Sequence, residues 1–213
     1  MFDGILFDLD GTLWDATLTI CAAWNHTLDN HPQLKRGPVT REEICACMGL
    51  LLEDIGSRLV PELSHEDCRA FVADYFAFSE PYLKSHGGIL YPQVAETLAA
   101  LQKIAPLYVV SNCQDGYIQG FFAAHHLGQY FSGFECAGRT GMEKSGNIAL
   151  VVRENGLKNP VYIGDTQLDY TSARAVGVPF LHAAYGFGTI DAAVPAAGSF
   201  GEIPAALGRM CPP

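Results

Sequence analysis

With 213 residues, the chain can form one large core, or a core domain with a smaller second unit. Apolar side chains make up 49% of it and charged ones only 17%, a balance that excludes a disordered protein. Acidic residues outnumber basic ones 23 to 13, for a formal charge of −10 with no basic cluster, which argues against nucleic acid or an anionic membrane as partner. Any phosphate site must therefore be made locally, by a metal, one or two lysines and backbone N–H groups. No basic-then-apolar leader opens the sequence, and no apolar run approaches the ~20 residues of a membrane span. The seven cysteines are odd in number and scattered through apolar segments, which suits reduced thiols in a cytoplasmic protein.

The first stretch, Ile5-Leu6-Phe7-Asp8-Leu9-Asp10-Gly11-Thr12-Leu13, is an apolar strand that ends in two carboxylates, a glycine and a threonine. Side chains alternate along a strand, so Asp8 and Asp10 start out on one face while Phe7 and Leu9 take the other. Gly11 permits a sharp departure that leaves both acids at the carboxyl end of the strand. Two adjacent carboxylates repel, and a divalent cation or a shared proton is the usual resolution.

From residue 12 to about 85 the pattern is helical. Residues 17–30 form a first helix, and Thr40-Arg41-Glu42-Glu43 has capping-box spacing for a second that is expected to stop at Gly49. A third runs over residues 51–59. Ser64 caps a fourth with Cys68, Phe71, Val72, Tyr75, Phe76, Tyr82 and Leu83 on one stripe, which Pro81 is expected to kink or shorten. Four helices with short connections read as a small bundle. Cys45 and Cys47 point to different faces of a helix and read as buried structural thiols rather than metal ligands. Asn25-His26-Thr27 matches a glycosylation acceptor, and with no secretion signal visible the match is expected to be a coincidence.

His86-Gly87-Gly88 reads as a flexible joint, after which helices and strands alternate. Helices are expected over 94–103, 115–126, 147–155 and 168–176. Strands are expected over 107–110, near 134–136, over 161–163 and over 178–182. Such alternation implies a parallel sheet covered on both faces, with the bundle inserted after its first strand. Polar residues follow the strands: Asp8 and Asp10, then Ser111 and Asn112, then Asp165 and Asp169, with Lys144 just before a helix start. Parallel strands end on one edge, so these separated residues should converge there. His125, His126 and His182 read as helix-end or core histidines, and Trp14 and Trp24 as packing.

Asp8-x-Asp10-x-Thr12, Ser111-Asn112, Lys144 and Gly164-Asp165-x-x-x-Asp169 resemble, in order and approximate spacing, the four motifs of the haloacid dehalogenase superfamily. Tyr91-Pro92 and Tyr185-Gly186-Phe187-Gly188 are similar to its phosphoglycolate phosphatase-like branch. Gln93 stands where that branch often has glycine, and Ser145 where proline often follows the lysine. The resemblance implies a Rossmann-like doubly wound α/β core over residues 1–15 and 88–213 and an α-helical cap over 16–87. It also implies a Mg²⁺-dependent phosphatase for a small phosphorylated metabolite, either a monomer or a weak dimer.

In that family's chemistry Asp8 would be the nucleophile and form an aspartyl-phosphate. Asp10 would be the general acid and base, oriented by Thr12. Asp8, Asp165 and the backbone carbonyl of Asp10 would hold Mg²⁺. Asp169 would fix Lys144 or a metal-bound water, and Ser111, Asn112 and Lys144 would hold the phosphoryl oxygens.

The turn Met48-Gly49-Leu50-Leu51 resembles the family's specificity loop. It is apolar, with Arg41 and Arg58 as the nearest cations in sequence, and implies a modest preference for small or uncharged leaving groups. A phosphomutase is the alternative, disfavoured because Ala16 and Ile20 stand where threonine and histidine would be expected. Asp10 disfavours a dehalogenase or a phosphonatase. A ~70-residue insert after the first strand disfavours a signalling receiver domain, and a non-catalytic phosphate-binding protein remains open.

Overall fold

The computed structural model describes residues 2–210. β1 (Gly4–Phe7) leads through residues 8–13 into the two-residue β2 (Trp14–Asp15). Four helices follow: α1 (Thr17–Asp29), α2 (Arg41–Cys45), α3 (Leu52–Leu59) and α4 (His65–His86). The chain returns through β3 (Ile89–Leu90), α5 (Val94–Leu101), β4 (Leu107–Ser111), α6 (Tyr117–His125), β5 (Phe131–Cys136), α7 (Ala137–Thr140) and α8 (Lys144–Glu154). It continues through β6 (Pro160–Gly164), α9 (Gln167–Ala175), β7 (Phe180–Ala183), β8 (Ala196–Ala197) and α10 (Ile203–Met210).

Six strands form one parallel sheet in the order β5-β4-β1-β6-β7-β8. The runs GILF, LYVVS and PVYIG are buried throughout, as parallel strands covered on both faces must be. Alternation divides them between two cores. Ile5, Phe7, Val109 and Ile163 belong to the larger, and Leu6, Tyr108, Val110 and Tyr162 to the smaller. Strand order reverses at β1, between β4 and β6, so a crevice forms at the carboxyl ends of these three. The architecture is the doubly wound α/β sheet with a helical insert expected from the sequence. No helix among the described residues is long and apolar enough to cross a membrane.

The buried side chains of the insert join the larger of these cores. Trp24 of α1 stacks on Tyr75 of α4 at 4.0 Å between ring centroids, and Phe71 lies beside them at 5.8 Å. Asn25 binds the backbone of Val39 twice, at 2.7 and 3.0 Å, so its side chain ties α1 to the following loop. The two chain crossings are not a loose joint. β2 and β3 pair antiparallel, Trp14 with Leu90 and Asp15 with Ile89.

Four local expectations need correction. The Thr40 capping box forms, with Glu43 Oε2 2.8 Å from the Thr40 amide, but α2 ends at Cys45 rather than Gly49. Ile44 and Cys47 are buried, and the chain between them turns to carry Met48 to Leu50 toward the sheet. Pro81 does not shorten α4: beyond it Leu83 is still buried, and Ser85 Oγ donates to the carbonyls of Pro81 and Tyr82. α8 begins at Lys144, not at Asn147. Cys47 is buried, but Cys45 is only half-buried.

Gln93 caps α5 in the left-handed region, with φ 66°. An L side chain there costs about 1–2 kcal/mol, which glycine avoids at the expense of a larger unfolded-state entropy. Gln93→Gly should therefore raise the melting temperature, by about 2 °C for a chain of this size. Differential scanning calorimetry would check it, and a lower melting temperature would refute the strain.

Candidate active site

Asp8 N–H donates to the Ile163 carbonyl at 2.8 Å, the last rung that ties β1 to β6. Gly11 then turns the chain at φ 79°. A Cβ there would lie 2.2 Å from Asp165 Oδ2, so only glycine lets the loop after β1 approach the loop after β6. Gly186 makes the same approach from the loop after β7, where a Cβ would lie 2.3 Å from Asp165 Cβ. Its successor Phe187 donates its N–H to Asp165 Oδ2 at 2.7 Å, and Tyr185 Oη donates to the Thr12 carbonyl at 2.8 Å. Three loops thus lock Asp8, Asp10 and Asp165 into one crevice.

Lys144 is almost fully buried, and its ammonium lies 3.0 Å from Asp8 Oδ1 and 2.5 Å from Asp169 Oδ1. Asp169 is saturated. Tyr162 Oη reaches Oδ1 at 3.3 Å, while the Thr166 amide and hydroxyl bind Oδ2 at 2.9 and 2.7 Å. Asp165 Oδ1, by contrast, is buried with no hydrogen-bond partner. One oxygen from each of Asp8, Asp165 and Asp169 lies within 4.8 Å of the others. With Asp169 committed to Lys144, the oxygens of Asp8 and the orphaned one of Asp165 suit a hard divalent cation.

The electrostatics agree with that donor set. Burial first, then the charge of Asp169, pushes Asp8 up to about 6 against the pull of Lys144. Burial and the charge of Asp8 push Asp10 up to about 7, opposed by the hydroxyl of Tyr117. Burial, Asp169 and Asp8 push Asp165 up to about 8, opposed by the Phe187 N–H. For Lys144, burial disfavours the ammonium, but Asp169 and Asp8 outweigh it and hold the group charged.

These shifts predict how stability varies with pH. A carboxyl raised on folding binds more protons in the native state, so its stabilisation is complete below the unfolded value and is lost as pH rises through the folded one. Asp8, pushed up to about 6 by burial and the charge of Asp169, contributes in this way. Metal-free protein should thus melt lower at pH 8 than at pH 5.5, by several degrees. A cation competes with those protons, so Mg²⁺ should raise the melting temperature more at pH 8. An equal or larger rise at pH 5.5 would contradict a cation site built from these carboxylates.

The sequence-predicted residues converge as follows. Asp8, Thr12, Ser111, Asn112, Lys144, Asp165 and Asp169 are all buried around the crevice, with Asp10 at its edge. The Thr12 hydroxyl has no hydrogen-bond partner. The side chain that holds Asp10 is Tyr117, whose hydroxyl donates to Asp10 Oδ1 at 2.9 Å. Asn112 Nδ2 donates to the Gly49 carbonyl at 2.9 Å, so the insert's turn rests directly on the residue after β4.

Between the insert and Asp8, Asp10, Ser111, Asn112 and Tyr117 lies a cavity of about 80 Å³. Met48, Gly49 and Leu50 line it; Leu51 does not, and Leu52 does. Trp24 packs in the insert and also lines the cavity. His182 touches the site only through a ring nitrogen 3.2 Å from the Asp165 carbonyl.

Sequence reasoning missed Tyr117, Tyr162 and Thr166, and it noted Tyr185 and Phe187 as a motif without their contacts to the site. Thr166 was readable, because Thr166-x-x-Asp169 is a capping box, formed here at the start of α9. An aromatic on a helix or strand is more often core, so Tyr117 and Tyr162 gave no signal.

A doubly wound sheet with an acidic, lysine-bridged crevice at its carboxyl edge and a helical insert over it defines the class. The chain belongs to the haloacid dehalogenase-like hydrolase family, whose model matches residues 5–183. A phosphoglycolate phosphatase of Pseudomonas fluorescens is 26% identical over 86% of this chain and 70% of its own length. One of Shigella dysenteriae is 26% identical, over 86% and 82%. Among solved structures, a predicted phosphoglycolate phosphatase of Haemophilus somnus superposes with a TM-score of 0.83 at 22% identity, covering 97% of this chain and 98% of that one. A haloacid dehalogenase-like hydrolase of Streptococcus pneumoniae gives 0.81 at 24% identity, over 97% and 98%.

Proposed function

We propose that this hydrolase is a phosphoric monoester hydrolase that transfers the phosphoryl group of a small metabolite to Asp8 and then to water. The observation that carries the reading is the buried Lys144 ammonium between Asp8 and Asp169, beside a second pair of carboxylates at one strand edge. The curated phosphoglycolate phosphatases that resemble the chain over most of its length support the same class.

Asp8 Oδ attacks phosphorus as the ester oxygen leaves. Lys144, Ser111 and the backbone N–H groups beside Asp8 and Asn112 hold the phosphoryl oxygens. Asp10, raised to about 7, is substantially protonated at neutral pH and gives its proton to the departing alkoxide. The carboxylate that remains takes a proton from the water that attacks phosphorus next, which releases phosphate and restores Asp8. Tyr117 keeps Asp10 in place through both steps. Asp169, bound on both oxygens, fixes Lys144. Mg²⁺, held by Asp8, Asp165 and the Asp10 carbonyl, would neutralise the meeting of carboxylate and phosphate anions.

In this reading residues 1–15 and 88–213 are the catalytic core. Residues 16–87 are a cap that swings on the β2–β3 pair and closes through the Asn112–Gly49 bond. The six described cysteines are all free, which suits a reducing, cytoplasmic setting. The test is release of p-nitrophenol from p-nitrophenyl phosphate with and without Mg²⁺. Turnover that Mg²⁺ supports and a chelator removes is expected, and none under either condition overturns the proposal.

A further inference from the structure

The cavity between insert and core is where the alcohol side of a substrate must lie, because the phosphoryl group occupies the crevice beside Asp8 and Lys144. We propose that this alcohol is uncharged and largely apolar. On the phosphatase reading, from which this follows, the enzyme prefers phosphate esters of small neutral alcohols to phosphoglycolate and other esters with a second anionic group.

Ile20, Trp24, Ile44, Leu50, Ile55 and Tyr75 supply much of the cavity's lining, and among the described residues no Lys, Arg or His lines it. The cations nearest in sequence to the insert's turn are engaged elsewhere. Arg41 is ion-paired to Asp15 Oδ2 at 2.6 Å and donates to Thr17 Oγ1 at 2.9 Å, and Arg58 donates to the Ala46 carbonyl at 3.2 Å. Lys144 is held between Asp8 and Asp169 on the phosphate side.

Apart from the carboxylates, the buried lining atoms without a hydrogen-bond partner are the Trp24 indole N–H and Asn112 Oδ1, one neutral donor and one neutral acceptor. They match a hydroxyl or an amide. A carboxylate here would be stripped of water, face Asp8 and Asp10, and find no counter-charge. The free volume holds roughly five to eight water-sized groups at about 10–15 Å³ each, so the alcohol is small.

The test compares a matched pair, phosphoglycolate and its neutral amide, with Mg²⁺ present. A kcat/KM at least ~100-fold higher for the amide is expected, the penalty for an unpaired buried charge. Equal values, or a preference for phosphoglycolate, overturn the proposal. Leu50→Arg places a cation in the wall and should narrow the gap by at least ~10-fold; an unchanged ratio overturns the assignment of selectivity to this cavity.

Asp8→Asn protein, expected to release phosphate at least ~10³-fold more slowly than wild type, supplies an independent readout by calorimetry, where the amide should bind more tightly than phosphoglycolate. If the wild-type protein hydrolyses neither ester, the phosphatase reading falls. The calorimetric preference then still decides the character of the cavity, and tighter binding of phosphoglycolate refutes it.

Discussion

Asp8→Asn protein is expected to fold normally and to release phosphate at least ~10³-fold more slowly than wild type. The amide has nearly the shape of the carboxylate but is not a nucleophile, so the first transfer has no acceptor. Its effect on the fold should be neutral or favourable without metal. Asp8, Asp10, Asp165 and Asp169 share the crevice with a single ammonium, and the charge of Asp8 raises both Asp10 and Asp165. Removing one anion lowers that repulsion, and Lys144 keeps Asp169 at 2.5 Å. The measurement is phosphate release by purified protein with Mg²⁺, together with a melting curve in chelator. Turnover within tenfold of wild type would remove Asp8 from the role of nucleophile. A much lower melting temperature would show that the Asp8–Lys144 pair outweighs the repulsion.

Much of this site was legible because Asp8, Asp10 and Asp165 follow apolar runs. Strands of four or five buried residues announce themselves, and parallel strands all end on one edge. The positions of Asp8, Asp10, Ser111, Asn112 and Asp165 therefore follow from the runs before them. Lys144 was legible only in its place along the chain. Its helix starts without a side-chain cap, since Glu143 makes no capping bond, so nothing in residues 141–146 marks the first turn.

The two-residue strands β2 and β3 are too short to carry a period, and what reads as a loose joint is a paired one. β8 and α10 have the same difficulty, being short and rich in alanine. Tyr117 is a different case. Its hydroxyl meets Asp10 across more than a hundred residues of sequence, a contact that only the placement of α6 against the first loop creates. Pro81 shows tertiary packing overriding a local rule, because Leu83 beyond it is buried and α4 continues to His86.

The roles proposed for Asp10 and Asp165 predict opposite signatures for two substitutions of the same kind. The Asp10 side chain is held by Tyr117 at 2.9 Å, and only its backbone carbonyl is assigned to the cation. Asp10→Asn should therefore lower kcat by ~10²–10⁴-fold, the range of general acid–base catalysis, while the Mg²⁺ concentration for half-maximal activity changes little. Asp165 has no place in proton transfer. Its Oδ2 accepts the Phe187 N–H at 2.7 Å, and its Oδ1 is the buried oxygen without a partner. An amide there keeps an oxygen for Phe187 but offers the cation no charge, so Asp165→Asn should raise the Mg²⁺ requirement by at least ~10-fold, and saturating Mg²⁺ should recover part of kcat. Titration of each variant with Mg²⁺, read both as activity and as the rise in melting temperature, separates the two. If both variants lose Mg²⁺ affinity equally, Asp10 binds the cation through its side chain and cannot be the acid; if neither does, the cation site lies elsewhere.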